Sequence, residues 1–201
     1  MTSPDDFFAE YLARTPAMAI LRGHGVERTV DLCRRAWDLG IALVEVPVQS
    51  AEDLEALREA VRAGRSIGRP VGAGTVISAE LVAQVAEAGA TFTVAPGLDE
   101  RVLVASVEAG LPHLPGVATA GEIQQALRHG AVWQKAFPAS VLGPDWFSAM
   151  RGPFPHVRLV ATGGVDAGNA AAFLTAGAAA VSLGSAFADA EPDLVRRLAA
   201  G

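Results

Sequence analysis

Short apolar runs alternate with longer amphipathic segments along the chain. The runs are rich in Ala, Val, Ile and Leu and lie at 17–21, 42–48, 70–74, 91–96, 111–116, 131–137, 157–163 and 179–184. Stretches with helical spacing separate them, at 26–39, 51–64, 78–89, 98–109, 119–129, 145–151, 166–176 and 189–199. Buried parallel strands are expected to be continuously apolar, and the helices that cover them to be amphipathic. The pattern therefore predicts eight βα units.

Eight such units without a long linker favour an α/β fold of the closed (β/α)8 TIM-barrel type over an open doubly wound sheet. A further helix at about 4–14 is expected to cover the bottom of the barrel. A length of 201 residues lies within the range of one α/β barrel, so we expect residues 1–201 to form a single domain. Predicted helix caps are Ser50, Ser78, Thr119 and Asp166.

Charge and cysteine content narrow the possible partners and location. Acidic residues number 22 against 16 basic ones, giving a net charge of −6, and the basic residues form no cluster, so nucleic acid is not an expected partner. The single cysteine, Cys33, rules out an internal disulfide and fits a reducing compartment. The N-terminal segment lacks the pattern of a signal peptide, and no run is long enough for a membrane span. We expect a soluble cytoplasmic protein.

Lys135 is the only lysine in a chain with fifteen arginines, and it lies within "AVWQKAFPAS" on the predicted sixth strand. A charged amine is costly in an apolar run, so burial favours the neutral amine, which is the form that attacks a carbonyl. This makes Lys135 a candidate Schiff-base nucleophile. The alternative is a lysine whose amine reaches solvent at the barrel mouth and has no chemical role.

Glu45 is a second charged residue in an apolar run, "VEVPVQS" on the predicted second strand. Strand alternation puts Leu43, Glu45 and Pro47 on one face and the intervening valines on the other. If the first face is the barrel interior, Glu45 points towards the axis near Lys135. A carboxylate there can move protons between carbinolamine, imine and enamine. The alternative is a structural pair between Glu45 and Arg22.

Further polar groups and glycines follow other predicted strands, at the end of the barrel where such folds place their chemistry. Arg22 ends the first strand and Thr75 follows the third, and a guanidinium with a hydroxyl suits the carboxylate of an α-keto acid. After the last two strands, "TGGV" and "LGSAF" offer Gly163, Gly164, Gly184 and Ser185 as a phosphate cradle. Glycine is also an ordinary turn residue, so each motif alone has that second interpretation.

The sequence favours neither a metal site nor the catalytic site of a serine hydrolase. The four histidines, His24, His113, His129 and His156, show no metal-ligand spacing, so no metal site is expected. Ser140 has no accompanying histidine and aspartate pattern, and no GxSxG motif occurs.

Taken in order, "AILRG", "VEVPVQS", "GAGTV", "VAPGL", "LPGVAT", "KAFPAS", "TGGV" and "LGSAF" cover nearly the whole chain. With these motifs the chain resembles the class I aldolases that act on 2-keto-3-deoxy-6-phosphogluconate (KDPG), 2-keto-3-deoxy-6-phosphogalactonate and 4-hydroxy-2-oxoglutarate (KHG). The resemblance implies reversible cleavage to pyruvate and an aldehyde, glyceraldehyde 3-phosphate or glyoxylate, with no metal or other cofactor and with a homotrimeric assembly. It also implies roles for individual residues: Lys135 forms the Schiff base, Glu45 is the general acid and base, Thr75, Pro96 and Thr162 line the pyruvate pocket, and Gly163, Gly164, Gly184 and Ser185 bind phosphate.

One position departs from the gluconate-type pattern. Gln49 stands where those members usually have an arginine, in a motif like "EVTLRT", whereas "VEVPVQS", "AILRG" and "FPASVLGP" are more similar to the galactonate-type branch. Arg22 then becomes the expected carboxylate partner, and Gln49 is included among the substrate-binding residues. Two other functions stay open at this point: a phosphate-binding barrel isomerase or synthase, and a non-catalytic sugar-phosphate binding protein.

Overall fold

A computed structural model describes residues 4–12, 15–166, 168–184 and 187 of the chain. Within them, nine short strands form one sheet in the order β5-β4-β3-β2-β1-β9-β8-β7-β6, and every neighbouring pair is parallel. The strands are β1 (Ala17–Ile20), β2 (Leu43–Pro47), β3 (Val71–Gly74), β4 (Thr93–Val94), β5 (His113–Leu114), β6 (Gly116–Val117), β7 (Trp133–Ala136), β8 (Arg158–Thr162) and β9 (Ala180–Leu183). That residues 1–201 form one domain stays a prediction.

The two end strands of the sheet, β5 and β6, are halves of one segment separated by Pro115. The Ala95 N–H donates to the Leu114 oxygen (3.1 Å) and the Gly116 N–H to the Gly97 oxygen (3.2 Å), while the Lys135 N–H donates to the Pro115 oxygen (2.8 Å). The segment is thus bonded on both sides and closes the barrel. Proline has no N–H to donate, which is why the predicted fifth strand is interrupted here. The predicted TIM-like barrel is confirmed.

Helix α1 precedes the first strand, and the other described helices follow strands on the outside of the barrel. They are α1 (Pro4–Leu12), α2 (Val26–Asp38), α3 (Ala51–Arg65), α4 (Ala79–Glu87), α5 (Glu100–Glu108), α6 (Ala120–Arg128), α7 (Ala139–Leu142), α8 (Pro144–Arg151) and α9 (Ala170–Thr175). The predicted caps of three helices are confirmed, because Ser50, Ser78 and Thr119 accept hydrogen bonds from backbone N–H groups of the first turn.

One predicted helix begins later than expected, one observed helix was not predicted, and one predicted helix lies outside the described residues. The helix predicted at 166–176 begins only at Ala170, because the Asp166 carboxylate accepts from the N–H groups of Gly168 (2.7 Å) and Asn169 (3.1 Å) and so holds a turn there. The short helix α7 was not predicted from the sequence. The helix predicted at 189–199 falls on residues that the structure does not describe.

Two apolar layers stabilise the barrel. One lies between the strands and the outer helices, and the other fills the lower barrel interior with Met18, Leu43, Phe92 and Trp133. Helix α1 closes this end with Phe8, which is 1% exposed, as predicted for an N-terminal helix at the barrel bottom. None of the described helices has both the length and the apolar character needed to cross a membrane.

Candidate active site

Lys135 and Glu45 face each other inside the barrel, from β7 and β2 respectively. The Lys135 Nζ lies 3.8 Å from Glu45 Oε1, and the two side chains are 4% and 0% exposed. The alternation predicted for β2 holds, since Leu43 belongs to the interior cluster and Val44 and Val46 to the outer one. The lysine therefore does not extend its amine to solvent, which was the alternative interpretation.

Glu45 has room because β3 carries glycine at the facing position. A β-carbon on Gly74 would overlap the Glu45 carboxylate, so no larger residue fits without displacing it. Among the described residues, neither carboxylate oxygen has a hydrogen-bond partner. Unpartnered buried acceptors are costly, and here both oxygens can accept a hydrogen bond from a ligand or a water molecule. The arrangement can therefore perform proton transfer beside the lysine amine.

A cavity of about 440 Å³ opens above this pair at the C-terminal ends of the strands. Six residues predicted from the sequence lie on its wall: Arg22, Lys135, Thr162, Gly163, Gly164 and Gly184. Ser185 lies outside the described residues. The cavity thus brings the amine of Lys135, one guanidinium and the glycine turns of β8 and β9 together in one space.

The two glycines after β8 cannot be replaced without rearrangement. Gly163 has φ 92° and Gly164 φ 70°, both in the left-handed region that favours glycine. A β-carbon on Gly163 would lie 2.9 Å from the Phe137 ring, and one on Gly164 would overlap the Ser140 side chain. In (β/α)8 barrels, phosphate sites are commonly built from the loops that follow the last two strands, here β8 and β9, with backbone N–H groups as donors. The turn is suited to an anion.

Arg22 lies at the cavity mouth and pairs with residues other than Glu45. Its Nη1 donates to Gln49 Oε1 (2.5 Å), and its Nη2 donates to Thr75 Oγ1 (3.4 Å). The structural pair of Arg22 with Glu45 considered from the sequence is therefore not formed. Thr75 has φ 57°, which is unusual for a residue with a β-carbon. Gln49 and Thr75 lie outside the wall of the cavity around Lys135, and each accepts a hydrogen bond from Arg22, which is part of that wall.

Pro96 follows β4 at the same end of the barrel but lies outside the wall of the cavity around Lys135. It packs instead beside Gly116, where a β-carbon would overlap the Pro96 carbonyl group. The part of Pro96 in a pyruvate pocket stays a prediction.

Four residues of the cavity wall were not predicted from the sequence, and two of them, Phe137 and Ser182, contact predicted site residues. The Phe137 ring centroid lies 5.3 Å from the Lys135 Nζ, within the range of a cation–π contact. The Thr162 hydroxyl donates to Ser182 Oγ (3.1 Å), which joins β8 to β9 inside the cavity. Both could have been found by alternation, because Phe137 lies two residues after Lys135 and Ser182 two residues before Gly184.

None of the described residues that line this cavity is a histidine. His113 faces outward from β5, with its Nδ1 2.8 Å from the Thr93 hydroxyl. Burial lowers the pKa of its imidazole from 6.5 to about 4. The described residues contain no group of three or more His, Cys, Asp or Glu side chains able to hold a metal ion.

Comparison with known proteins decides the family. The family model for KDPG and KHG aldolases matches residues 9–197. The chain belongs to this aldolase family. Its members are lyases of the aldehyde-lyase type, so the protein is an enzyme of that class.

Named relatives include both sugar-acid types. A 2-dehydro-3-deoxy-phosphogluconate aldolase of Pseudomonas aeruginosa is 38% identical over 156 residues, which is 74% of this chain and 69% of the relative. A 2-dehydro-3-deoxy-6-phosphogalactonate aldolase of Escherichia coli is 33% identical over 177 residues, covering 88% and 86%. Identity alone therefore does not separate the two stereochemical types.

One similar crystal structure is that of the KDPG aldolase of Legionella pneumophila, with pyruvate captured as a covalent carbinolamine. It has a TM-score of 0.83 and 28% identity to this chain, and the match covers 99% of this chain and 97% of that one. The shared family thus includes a member in which pyruvate is held covalently.

Proposed function

We propose that the protein is a class I aldolase that reversibly cleaves a 2-keto-3-deoxy-6-phospho sugar acid to pyruvate and glyceraldehyde 3-phosphate. The observation that carries the proposal is the buried pair of Lys135 and Glu45, 3.8 Å apart, below a cavity bordered by glycine turns. Cleavage of 4-hydroxy-2-oxoglutarate to pyruvate and glyoxylate belongs to the same proposal, because only the aldehyde half differs.

Lys135 begins the reaction. Its neutral amine attacks the C2 ketone, and loss of water from the carbinolamine gives a cationic imine. The C3–C4 bonding electrons then move into this imine while the C4 hydroxyl loses its proton, which releases the aldehyde and leaves an enamine. Protonation at C3 and hydrolysis free pyruvate and regenerate the amine. Glu45 moves the protons of these steps through a water molecule, since its carboxylate lies beside Nζ and has no other partner among the described residues.

Opposite ends of the substrate are held by different groups. Arg22, with Thr75 and Gln49 beside it, binds the carboxylate, because a guanidinium offers paired donors to two oxygens. Thr162 and Pro96 contribute to the pyruvate pocket. The backbone of Gly163, Gly164 and Gly184, together with Ser185, binds the phosphate.

The cationic imine on Lys135 accepts the electrons of the C3–C4 bond. The proposed reaction therefore uses no metal and no other cofactor. We expect a chelator such as EDTA to leave the cleavage rate unchanged. A loss of activity that added Mg²⁺ or Zn²⁺ restores would contradict this part of the proposal.

A homotrimer in the cytoplasm completes the proposal. The exposed Ile77, at 63% exposure, borders an apolar cavity beside Gln49 and Thr75 and is suited to burial against another subunit. Cys33 is a free, buried thiol, which fits a reducing compartment. Sedimentation equilibrium should give three times the chain mass of 20.7 kDa, and a monomer at all concentrations would refute the trimer.

The test of the function is pyruvate release from three substrates: the phosphogluconate compound, its phosphogalactonate epimer and 4-hydroxy-2-oxoglutarate. We expect turnover with the wild type and none above background with Lys135→Ala or Lys135→Arg. A phosphate-binding isomerase or synthase would tolerate Lys135→Arg, and a non-catalytic binding protein would release no pyruvate from any substrate. Either result would overturn the proposal.

A further inference from the structure

Two acceptors hold the Arg22 guanidinium on one side of the cavity. Arg22 follows β1, and its two partners, Gln49 and Thr75, follow β2 and β3. In the sheet, β1 lies between β2 and β9, so the glycine turns of β8 and β9 lie on the other side of Arg22. The hydrogen bonds therefore hold the guanidinium towards β2 and β3, on the wall of a cavity that the glycine turns also line.

This placement matters because cationic groups are scarce in the cavity. Arg22 and Lys135 are the cationic side chains among its described lining residues, and the proposed imine occupies Lys135. A phospho sugar acid brings two anionic ends to this space. Arg22 is exposed, and its long side chain has many conformers, so without restraint it could pair with either anion.

We propose that Gln49 is a positioning residue, whose side-chain oxygen fixes Arg22 for the carboxylate of the pyruvate half; this rests on the proposed function. A neutral amide is suited to this task, because it accepts a hydrogen bond from Nη1 and leaves the charge of Arg22 available. Glutamate at this position would neutralise the arginine, and a second arginine would repel it.

The backbone of Gln49 is itself fixed by the start of α3. Its N–H donates to Asp53 Oδ2 (3.0 Å), and the Asp53 N–H donates to Ser50 Oγ (3.1 Å), which caps the helix. These hydrogen bonds fix the backbone position from which the Gln49 side chain extends towards Arg22. Fixing Arg22 in advance reduces the entropy that carboxylate binding would otherwise cost.

The experiment measures how borohydride trapping of pyruvate on the protein depends on pyruvate concentration, followed by intact mass. Pyruvate carries a carboxylate and no phosphate, so its half-saturating concentration depends on the carboxylate contacts and imine formation and not on the phosphate contacts. We expect Gln49→Ala to raise this concentration about tenfold, which corresponds to about 1.4 kcal/mol, and Arg22→Ala to raise it further. Gln49→Glu should also raise it. The extent of trapping at saturation should not change.

The double variant Gln49→Ala/Arg22→Ala separates positioning from direct contact. If Gln49 acts through Arg22, the double variant has the half-saturation of Arg22→Ala alone. Gln84→Ala is the matched control, because Gln84 borders the adjacent apolar cavity but has no bond to Arg22, and it should behave as the wild type.

Two outcomes would overturn the inference while leaving the proposed function intact: no shift in Gln49→Ala, or shifts that multiply in the double variant, as expected for a direct contact. A wild type that traps no pyruvate would refute the proposed function, and the positioning role would fall with it.

Discussion

The upper and lower halves of the barrel interior are built on the same strands but have opposite chemistry. Below, the interior side chains are apolar and pack with α1; above, four strands carry polar side chains at or beside a cavity that Ile20 and Phe137 also line. On four strands, the interior face changes from apolar to polar between positions two residues apart: Leu43 to Glu45, Trp133 to Lys135, Val160 to Thr162 and Ala180 to Ser182.

Glycine supports both halves on β3. Gly72 leaves room for the Phe92 ring in the lower half, and Gly74 leaves room for the Glu45 carboxylate in the upper half. The lower half therefore supplies stability, whereas the upper half holds polar groups that cost stability and perform the chemistry. Substitutions in one half should therefore change activity and those in the other stability.

The largest effect is expected for Lys135→Met, which removes the proposed nucleophile at similar volume. We expect the cleavage rate to fall by at least about 10⁴-fold, because no other amine faces the described cavity wall. The circular dichroism spectrum should be unchanged. Residual activity within tenfold of the wild type would show that imine formation at Lys135 is not required.

Glu45→Gln should lower kcat by about 10²- to 10⁴-fold, since an amide cannot accept and return protons. Pyruvate should still form the imine on Lys135, although more slowly. The measurement is steady-state cleavage beside borohydride trapping. Unaltered kcat would assign proton transfer to another group.

Phe92→Ala tests the lower half. Phe92 is fully buried and packs against Phe8, with ring centroids 5.8 Å apart. Its loss should cost about 3–5 kcal/mol of unfolding free energy, measured by urea titration. The folded fraction should keep its pyruvate half-saturation. A large change in pyruvate binding would show that the two halves are not separable.

The free energy of unfolding should decrease at acidic pH because of His113. Its pKa is about 4 in the folded chain and near 6.5 when unfolded, so below pH 6.5 the unfolded state binds the extra proton and stability falls as the pH decreases towards 4. The loss is on the order of 3 kcal/mol, because each tenfold difference in proton affinity between the two states corresponds to about 1.4 kcal/mol. His113→Gln should flatten the decline between pH 6.5 and 4.5 in urea titrations. His156→Gln, at an exposed position, is the control, and an equally steep decline in both variants would refute the assignment.

Much of this barrel could be predicted because parallel strands and their helices leave periodic patterns. Glu45 and Lys135 were recognisable as charges within apolar runs, and strand alternation grouped Glu45 with Leu43 and Pro47 but left open whether that face was the interior. The bonds of Arg22 to Gln49 and Thr75 were not predictable, since they depend on how long side chains meet across three strands. The later start of α9 depends on the Asp166 side chain, which competes with helix formation by bonding to the following turn.

The most direct test of the central claim is the intact mass of the protein after incubation with pyruvate and borohydride, beside the same treatment of Lys135→Ala. We expect one reduced pyruvyl adduct on the wild type and none on the variant, whose intact N-terminal amine serves as a control. A folded wild type that gains no adduct, or a variant that gains as much, would contradict imine chemistry at Lys135.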